Sequence, residues 1–155
     1  MKDIIYLKGD ATNPIGTGHK VIAHVCNNKG GWGKGFVKSI SKKWKEPEEY
    51  YRSMDELLLG DTFGVYVESD IIVFNMIAQD GYKNKYNTVA IRYDALRECF
   101  ERLLNYIDWC GEKDISIHMP RIGCGLAGGS WNKVEEIIKT TLCSKDIQVY
   151  VYDLN

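Results

Sequence analysis

No run of the 155 residues is apolar for long enough to cross a bilayer as a helix, which takes about 20 such residues. Neither sign of charge dominates: 20 Lys and Arg stand against 21 Asp and Glu, a formal net charge of -1. A general DNA or RNA binder needs a clear surplus of cations to displace counterions, so that class is set aside. A small anionic ligand is not, because backbone N–H groups and one or two local cations can hold it. The five cysteines, Cys26, Cys99, Cys110, Cys124 and Cys143, are odd in number and scattered, with no C-x-x-C pair to suggest zinc or a redox dithiol. No metal and no cofactor are therefore expected. Met1-Lys2-Asp3 leads straight into an apolar segment without the long apolar stretch and cleavage site of a signal peptide. The expectation is a monomer in the reducing cytoplasm, away from membranes.

What is present reads as one folded domain. Hydrophobic residues make up 45% and charged residues 26%, proportions that support a single core in a chain of this size. Short β-rich runs alternate with segments of helical period, the pattern of a layered α/β domain. Strands are expected at Ile4–Leu7, Val21–Cys26, Phe63–Glu68, Ile71–Ala78, Ile115–Met119 and Ile147–Tyr152. Glu68-Ser69-Asp70 supplies a turn, so the third and fourth strands read as a hairpin. Helices are expected from Phe36 to Trp44, briefly through Tyr50 and Met54, from Tyr93 to Cys110, and after a Ser130 cap.

Two segments carry the chemistry. Asn27-Asn28-Lys29-Gly30-Gly31-Trp32-Gly33-Lys34-Gly35 follows a buried strand and leads into a helix, so its glycines fall at the carboxyl edge of the sheet, where open α/β folds bind ligands. Glycine lets the backbone approach a sugar or phosphate, and Asn27 offers both donor and acceptor. Pro120-Arg121-Ile122-Gly123-Cys124-Gly125-Leu126-Ala127-Gly128-Gly129-Ser130 again joins a strand to a helix and presents a run of N–H groups suited to a diphosphate. Neither loop is a P-loop, and a dinucleotide-binding Rossmann turn is not expected.

Over nearly its whole length the chain resembles the macro domain family. The likeness runs from Lys8-Gly9-Asp10 through His24-Val25-Cys26-Asn27 and Trp32-Gly33-Lys34-Gly35 to Pro120-Arg121-Ile122-Gly123-Cys124-Gly125-Leu126 and Val151-Tyr152-Asp153-Leu154. Within the superfamily it is most similar to the branch of the ADP-ribose-1″-phosphate phosphatase and the terminal ADP-ribose protein glycohydrolase. The resemblance implies a three-layer α/β/α sandwich around a mixed six-stranded sheet, spanning residues 1–155 as one domain, with ADP-ribose across its crest. It further implies that Asp10, beside Ala11, accepts a hydrogen bond from the adenine amino group and that Tyr152 contacts the adenine. The distal ribose is expected against Asn27 and the Trp32-Gly33-Lys34-Gly35 stretch. The diphosphate is expected on the amides of Gly123, Cys124, Gly125, Leu126 and Ala127, next to Arg121 and Ile122. Asp10 also fits as a turn cap, and Tyr152 as a core residue.

His24 is the leading catalytic candidate, because an imidazole near the distal ribose could activate water or protonate a leaving oxygen. It matches a histidine of the phosphatase-like members, although a buried, hydrogen-bonded histidine is the competing reading. Asp80 and His118 are secondary candidates, and Cys124 reads as a small packing residue. The glycohydrolase has a lysine after its fourth strand and an aspartate after the second loop's Gly-Leu; here those places read Met76-Ile77-Ala78-Gln79 and Leu126-Ala127-Gly128. That departure argues against its covalent route, unless a loop shift brings in Asp80 or Lys83. The favoured expectation is therefore a metal-independent phosphatase that converts ADP-ribose-1″-phosphate to ADP-ribose and phosphate. The alternatives are a non-catalytic ADP-ribose reader and a hydrolase acting on ADP-ribosylated macromolecules. Lys42, Lys43 and Lys45 read as a solvated basic face.

Overall fold

The computed structural model describes residues 1–154. Six strands occur among them: β1 (Ile5–Lys8), β2 (His19–Asn27), β3 (Thr62–Glu68), β4 (Ile71–Gln79), β5 (Ile115–Met119) and β6 (Gln148–Asp153). Four helices accompany them: α1 (Phe36–Lys43), α2 (Glu46–Ser53), α3 (Tyr93–Cys110) and α4 (Trp131–Thr141). Strand order is β1-β6-β5-β2-β4-β3, with every pairing parallel except the β3–β4 hairpin. The result is the mixed six-stranded sheet of an α/β/α sandwich.

Strand period two sorts the side chains into two cores. Ile72, Phe74, Met76 and Ala78 of β4 join Val21 and Ala23 of β2 against α3 and α4, where Leu96, Phe100, Leu103, Val134 and Ile138 are fully buried. Ile71, Val73 and Ile77 join Ile22 and Cys26 on the opposite face, under α1 and α2. Burial on both faces explains why β2 and β4 are apolar almost without a break. It also fixes the side on which His24 and Asn75 must lie: they share the phase of Ile22 and Ile77.

Two expectations change in detail. Ser130 occupies the residue before α4, but its side chain makes no capping hydrogen bond; its backbone N–H donates to the Tyr93 hydroxyl at 2.9 Å. Lys43 is more than a solvated cation: its ammonium donates to the Thr12 carbonyl at 2.7 Å and ties α1 to the turn after β1.

Candidate functional site

Because β2, β4 and β5 run parallel, their carboxyl ends open on the same edge, and both glycine-rich loops meet there. Two adjoining cavities result. The smaller, about 180 Å³, is bounded chiefly by Gly35, Phe36 and the stretch Pro120–Cys124. The larger, about 440 Å³, lies among Asn27, Gly31, Gly33, Tyr82 and Lys83. Val25, Lys34, Val37, Gln79 and Leu126 line both, so the two form one cleft between the loops. Among the described residues, no carboxylate lines either cavity.

The second loop is built as an anion cradle. Ala127 N–H donates to the Cys124 carbonyl, Gly128 N–H to Gly125, and Gly129 N–H to Gly123, closing a single 3₁₀ turn over Gly125–Ala127. Among the described residues, the N–H groups of Gly123, Cys124, Gly125 and Leu126 have no protein acceptor. Gly125 holds φ at +55° with open space where a side chain would start, the left-handed step that turns successive amides toward one point. Ala127, expected to donate to the diphosphate, spends its N–H inside the turn instead. Gly123, Gly125 and Gly128 do stand at the G-x-G-x-x-G spacing, yet the strand order is not that of a dinucleotide fold.

The first loop is held from below. Asn27 Oδ1 accepts from the N–H of Lys29 at 2.9 Å and of Gly31 at 3.1 Å, while Asn27 Nδ2 donates to the Gly31 carbonyl at 2.8 Å. Tyr51, fully buried on α2, donates to the Asn27 backbone carbonyl at 2.6 Å and accepts from Gly30 N–H at 3.2 Å. Trp32 lines neither cavity: it is buried beneath the loop and donates its indole N–H to Ser41 Oγ at 2.7 Å. Its expected contact with ligand is thus replaced by a supporting one.

His24 borders the smaller cavity with only 1% of its surface exposed. Its Nε2 lies 2.6 Å from Asn75 Oδ1, and its ring packs against Trp32 and Phe36. Burial pushes its pKa down to about 4, so at neutral pH the ring is uncharged, with its one N–H donated to Asn75 Oδ1 and no imidazolium present to protonate a leaving group. His118 is buried on the same face of β5, between the Ser116 and Tyr152 hydroxyls, and burial also lowers it to about 4. Asp80 lines neither cavity: it accepts from Asn28 Nδ2 at 3.1 Å and sits 3.6 Å from the Arg92 guanidinium. Cys124 borders the cavity, but burial raises its thiol pKa, against nucleophilic use.

Asp10, Ala11 and Tyr152 lie outside both cavities. Asp10 Oδ1 accepts from the backbone N–H and hydroxyl of Thr12, each at 2.8 Å, which is the turn-capping arrangement. Ala11 is buried, and the Tyr152 hydroxyl is engaged with Ile15 N–H and His118 Nδ1. Arg121 lines the smaller cavity, where it forms a two-pronged pair with Asp153 at 2.8 Å and lies between the Tyr6 and Trp131 rings.

Tyr82, Gln79 and Phe36 also line the cleft, although the sequence places Phe36 in a helix and Gln79 after a strand without marking either as a site residue. Tyr82 packs so closely over Gly31 that a Cβ there would fall 2.0 Å from its hydroxyl. Lys83 already borders the cavity, so no loop shift is needed to bring it there.

Sheet order, the carboxyl-edge cleft and the amide cradle together define a macro domain. No family model matches the chain, but the relatives do. It is 32% identical to the ADP-ribose 1″-phosphate phosphatase of Candida albicans over 88% of this chain and 92% of that protein. It superposes on a macrodomain protein from Streptomyces coelicolor with a TM-score of 0.83 at 41% identity, covering 97% of this chain and 99% of that one. A Bacteroides thetaiotaomicron protein of unknown function is closer, with a TM-score of 0.91 at 53% identity and 98% of each chain covered. The chain spans only 17% of the mouse chromodomain-helicase-DNA-binding protein 1-like, to which it is 28% identical over 96% of its own length. The chain belongs to the macro domain family, in the branch that holds the ADP-ribose 1″-phosphate phosphatases.

Proposed function

We propose that the cleft binds ADP-ribose and its 1″-phosphate and hydrolyses the latter to ADP-ribose and inorganic phosphate. The observation that carries this reading is the run of four amides, Gly123 to Leu126, without protein acceptors among the described residues, beside a cleft that no carboxylate of those residues lines. Such a cradle favours a diphosphate. The larger cavity then takes the distal ribose beside Asn27, with Lys34 and Lys83 as the cations nearest a terminal phosphate. Water attacks the phosphorus, the bond from phosphorus to the ribose oxygen breaks, and that oxygen regains a proton from solvent. His24, neutral and fixed to Asn75, acts as a positioning residue for Trp32 and Phe36 rather than as the proton donor. The acting unit is one monomeric domain in the cytoplasm.

A second reading, recognition of ADP-ribose without turnover, draws on a specific observation. Both buried histidines are held near 4, leaving the cleft without an imidazole that titrates near neutral pH. ADP-ribose carried on a macromolecule would suit either reading. Phosphate release from ADP-ribose-1″-phosphate by the native chain and by Lys34→Ala and Lys83→Ala variants separates them. Turnover that drops in both variants supports the phosphatase, and binding of ADP-ribose with no phosphate released supports the reader.

A further inference from the structure

The near-zero net charge conceals a strong segregation. Residues 26–45, 81–93 and 115–134 contain eleven of the 20 Lys and Arg and none of the 21 Asp and Glu. Those three segments supply every cavity-lining residue except His24, Val25 and Gln79. Arg92 and Arg121 are paired with Asp80 and Asp153 outside these segments, and the cations that remain are lysines; since screening confines an exposed charge to roughly 10 Å, those lysines are what a polyanion meets at this edge.

Residues 81–92 form the outer rim, and they are built rather than slack. Asn84 Oδ1 accepts from the N–H of Tyr86 at 2.8 Å and of Asn87 at 3.1 Å, and Asn87 Nδ2 returns to the Asp80 carbonyl at 2.7 Å. Gly81 N–H donates to Asn28 Oδ1 at 2.9 Å, which fastens this rim to the first glycine loop. The acid nearest the junction, Asp80, is occupied by Asn28 and Arg92; Glu48, on the neighbouring helix, is paired with Arg52. Tyr86 stands out from this frame, 88% exposed, and Tyr82, whose hydroxyl end rests over Gly31, still leaves 52% of its surface open. The Lys85 ammonium lies 4.9 Å from the centre of the Tyr86 ring, and Lys83 borders the cleft.

We infer that this rim docks a single-stranded nucleic acid, with unpaired bases stacking on Tyr82 and Tyr86 and phosphates meeting Lys83, Lys85 and Lys29. Charge alone would fit an acidic peptide equally well. Two exposed phenol rings interleaved with lysines favour bases, whose flat faces stack on aromatic side chains regardless of sequence. The inference goes beyond the cleft's proposed ligand: Tyr82 and Lys83 border the cleft as well, but Lys85 and Tyr86 line neither cavity, so substitutions there test the rim apart from the cleft.

The test is fluorescence anisotropy of a labelled 12-nucleotide single strand at several salt concentrations, against native protein and the Tyr86→Ala and Lys85→Glu variants. Circular dichroism melting checks that each is folded. Expected are saturable binding of the single strand in preference to the same sequence as duplex, and about tenfold weaker binding for Tyr86→Ala. For Lys85→Glu, the slope of log affinity against log salt should fall by about 0.7, one phosphate contact. Poly-glutamate binding as tightly as the strand would overturn the inference, as would no binding at low salt, or binding that ignores both substitutions. ADP-ribose titrated in parallel reports on the cleft separately, so either idea can fail alone.

Discussion

The buried hydroxyl of Tyr51 reaches from α2 to the last residue of β2 and donates to the Asn27 carbonyl at 2.6 Å. The same oxygen accepts from Gly30 N–H at 3.2 Å, so one side chain closes the first glycine loop from beneath. Replacing it with phenylalanine keeps the ring but leaves a buried carbonyl and an amide unmatched. Tyr51→Phe should lower unfolding free energy by about 1–2 kcal/mol, read by urea denaturation. It should also weaken ADP-ribose binding by about tenfold, because the loop must then be ordered by the ligand.

The pH dependence of stability follows from the two buried histidines. Unfolding returns each imidazole from about 4 to its ordinary value of 6.5, so between those values the unfolded chain binds more protons than the folded one. Stability is therefore complete above pH 6.5 and falls as the pH drops toward 4, by up to about 3 kcal/mol for each histidine. Urea midpoints at pH 7 and pH 5 measure the fall. His24→Gln should shrink it, and an unchanged fall in that variant would mean that His24 is not held neutral by the fold.

Two glycines of the second loop should separate stability from binding. At Gly123 an added Cβ would lie 3.1 Å from Ile91 with φ at +73°, so Gly123→Ala should cost both folding stability and affinity. At Gly125, φ is +55° but nothing lies within 4 Å, so Gly125→Ala should cost only about 1 kcal/mol of stability. If that amide faces the ligand, affinity for ADP-ribose should still fall by about tenfold. Thermal melting and calorimetry on the same samples distinguish the two outcomes.

Much of this was legible in the sequence, for identifiable reasons. The 3.6-residue period of Leu96, Cys99, Phe100, Leu103, Leu104 and Ile107 marked α3, and all of them are buried except Leu104, which is half-buried against the core. Glycine spacing after apolar strands marked both loops, because a backbone that approaches a ligand must shed its side chains there. The support beneath the loops was hidden. Nothing local ties Tyr51 to Asn27 or Lys43 to Thr12, pairs separated by 24 and 31 residues. The direction of His24 could have been found: it keeps strand phase with Ile22 and Cys26, which already assigns its ring to the apolar layer. Trp32 was misplaced because a tryptophan inside a glycine loop reads as a ligand contact, whereas here the ring fills the space beneath.

Thiol labelling should follow burial. Cys26, Cys99 and Cys143 are buried, while Cys110 and Cys124 are partly accessible, and burial raises the Cys99 thiol to about 12. A maleimide added to native protein at pH 7 should modify Cys110 and Cys124 first, and all five only after denaturation. Prior ADP-ribose should slow the reaction at Cys124 alone, since Cys124 borders the cavity.

An amide NMR titration with ADP-ribose reaches the central claim most directly. The account predicts saturable shifts at one equivalent in the N–H signals of Gly123, Cys124, Gly125 and Leu126, together with those of Gly31 to Gly35. Signals from these two loops that stay fixed while the ligand is present in excess, in a protein whose remaining spectrum is that of a folded chain, would contradict it.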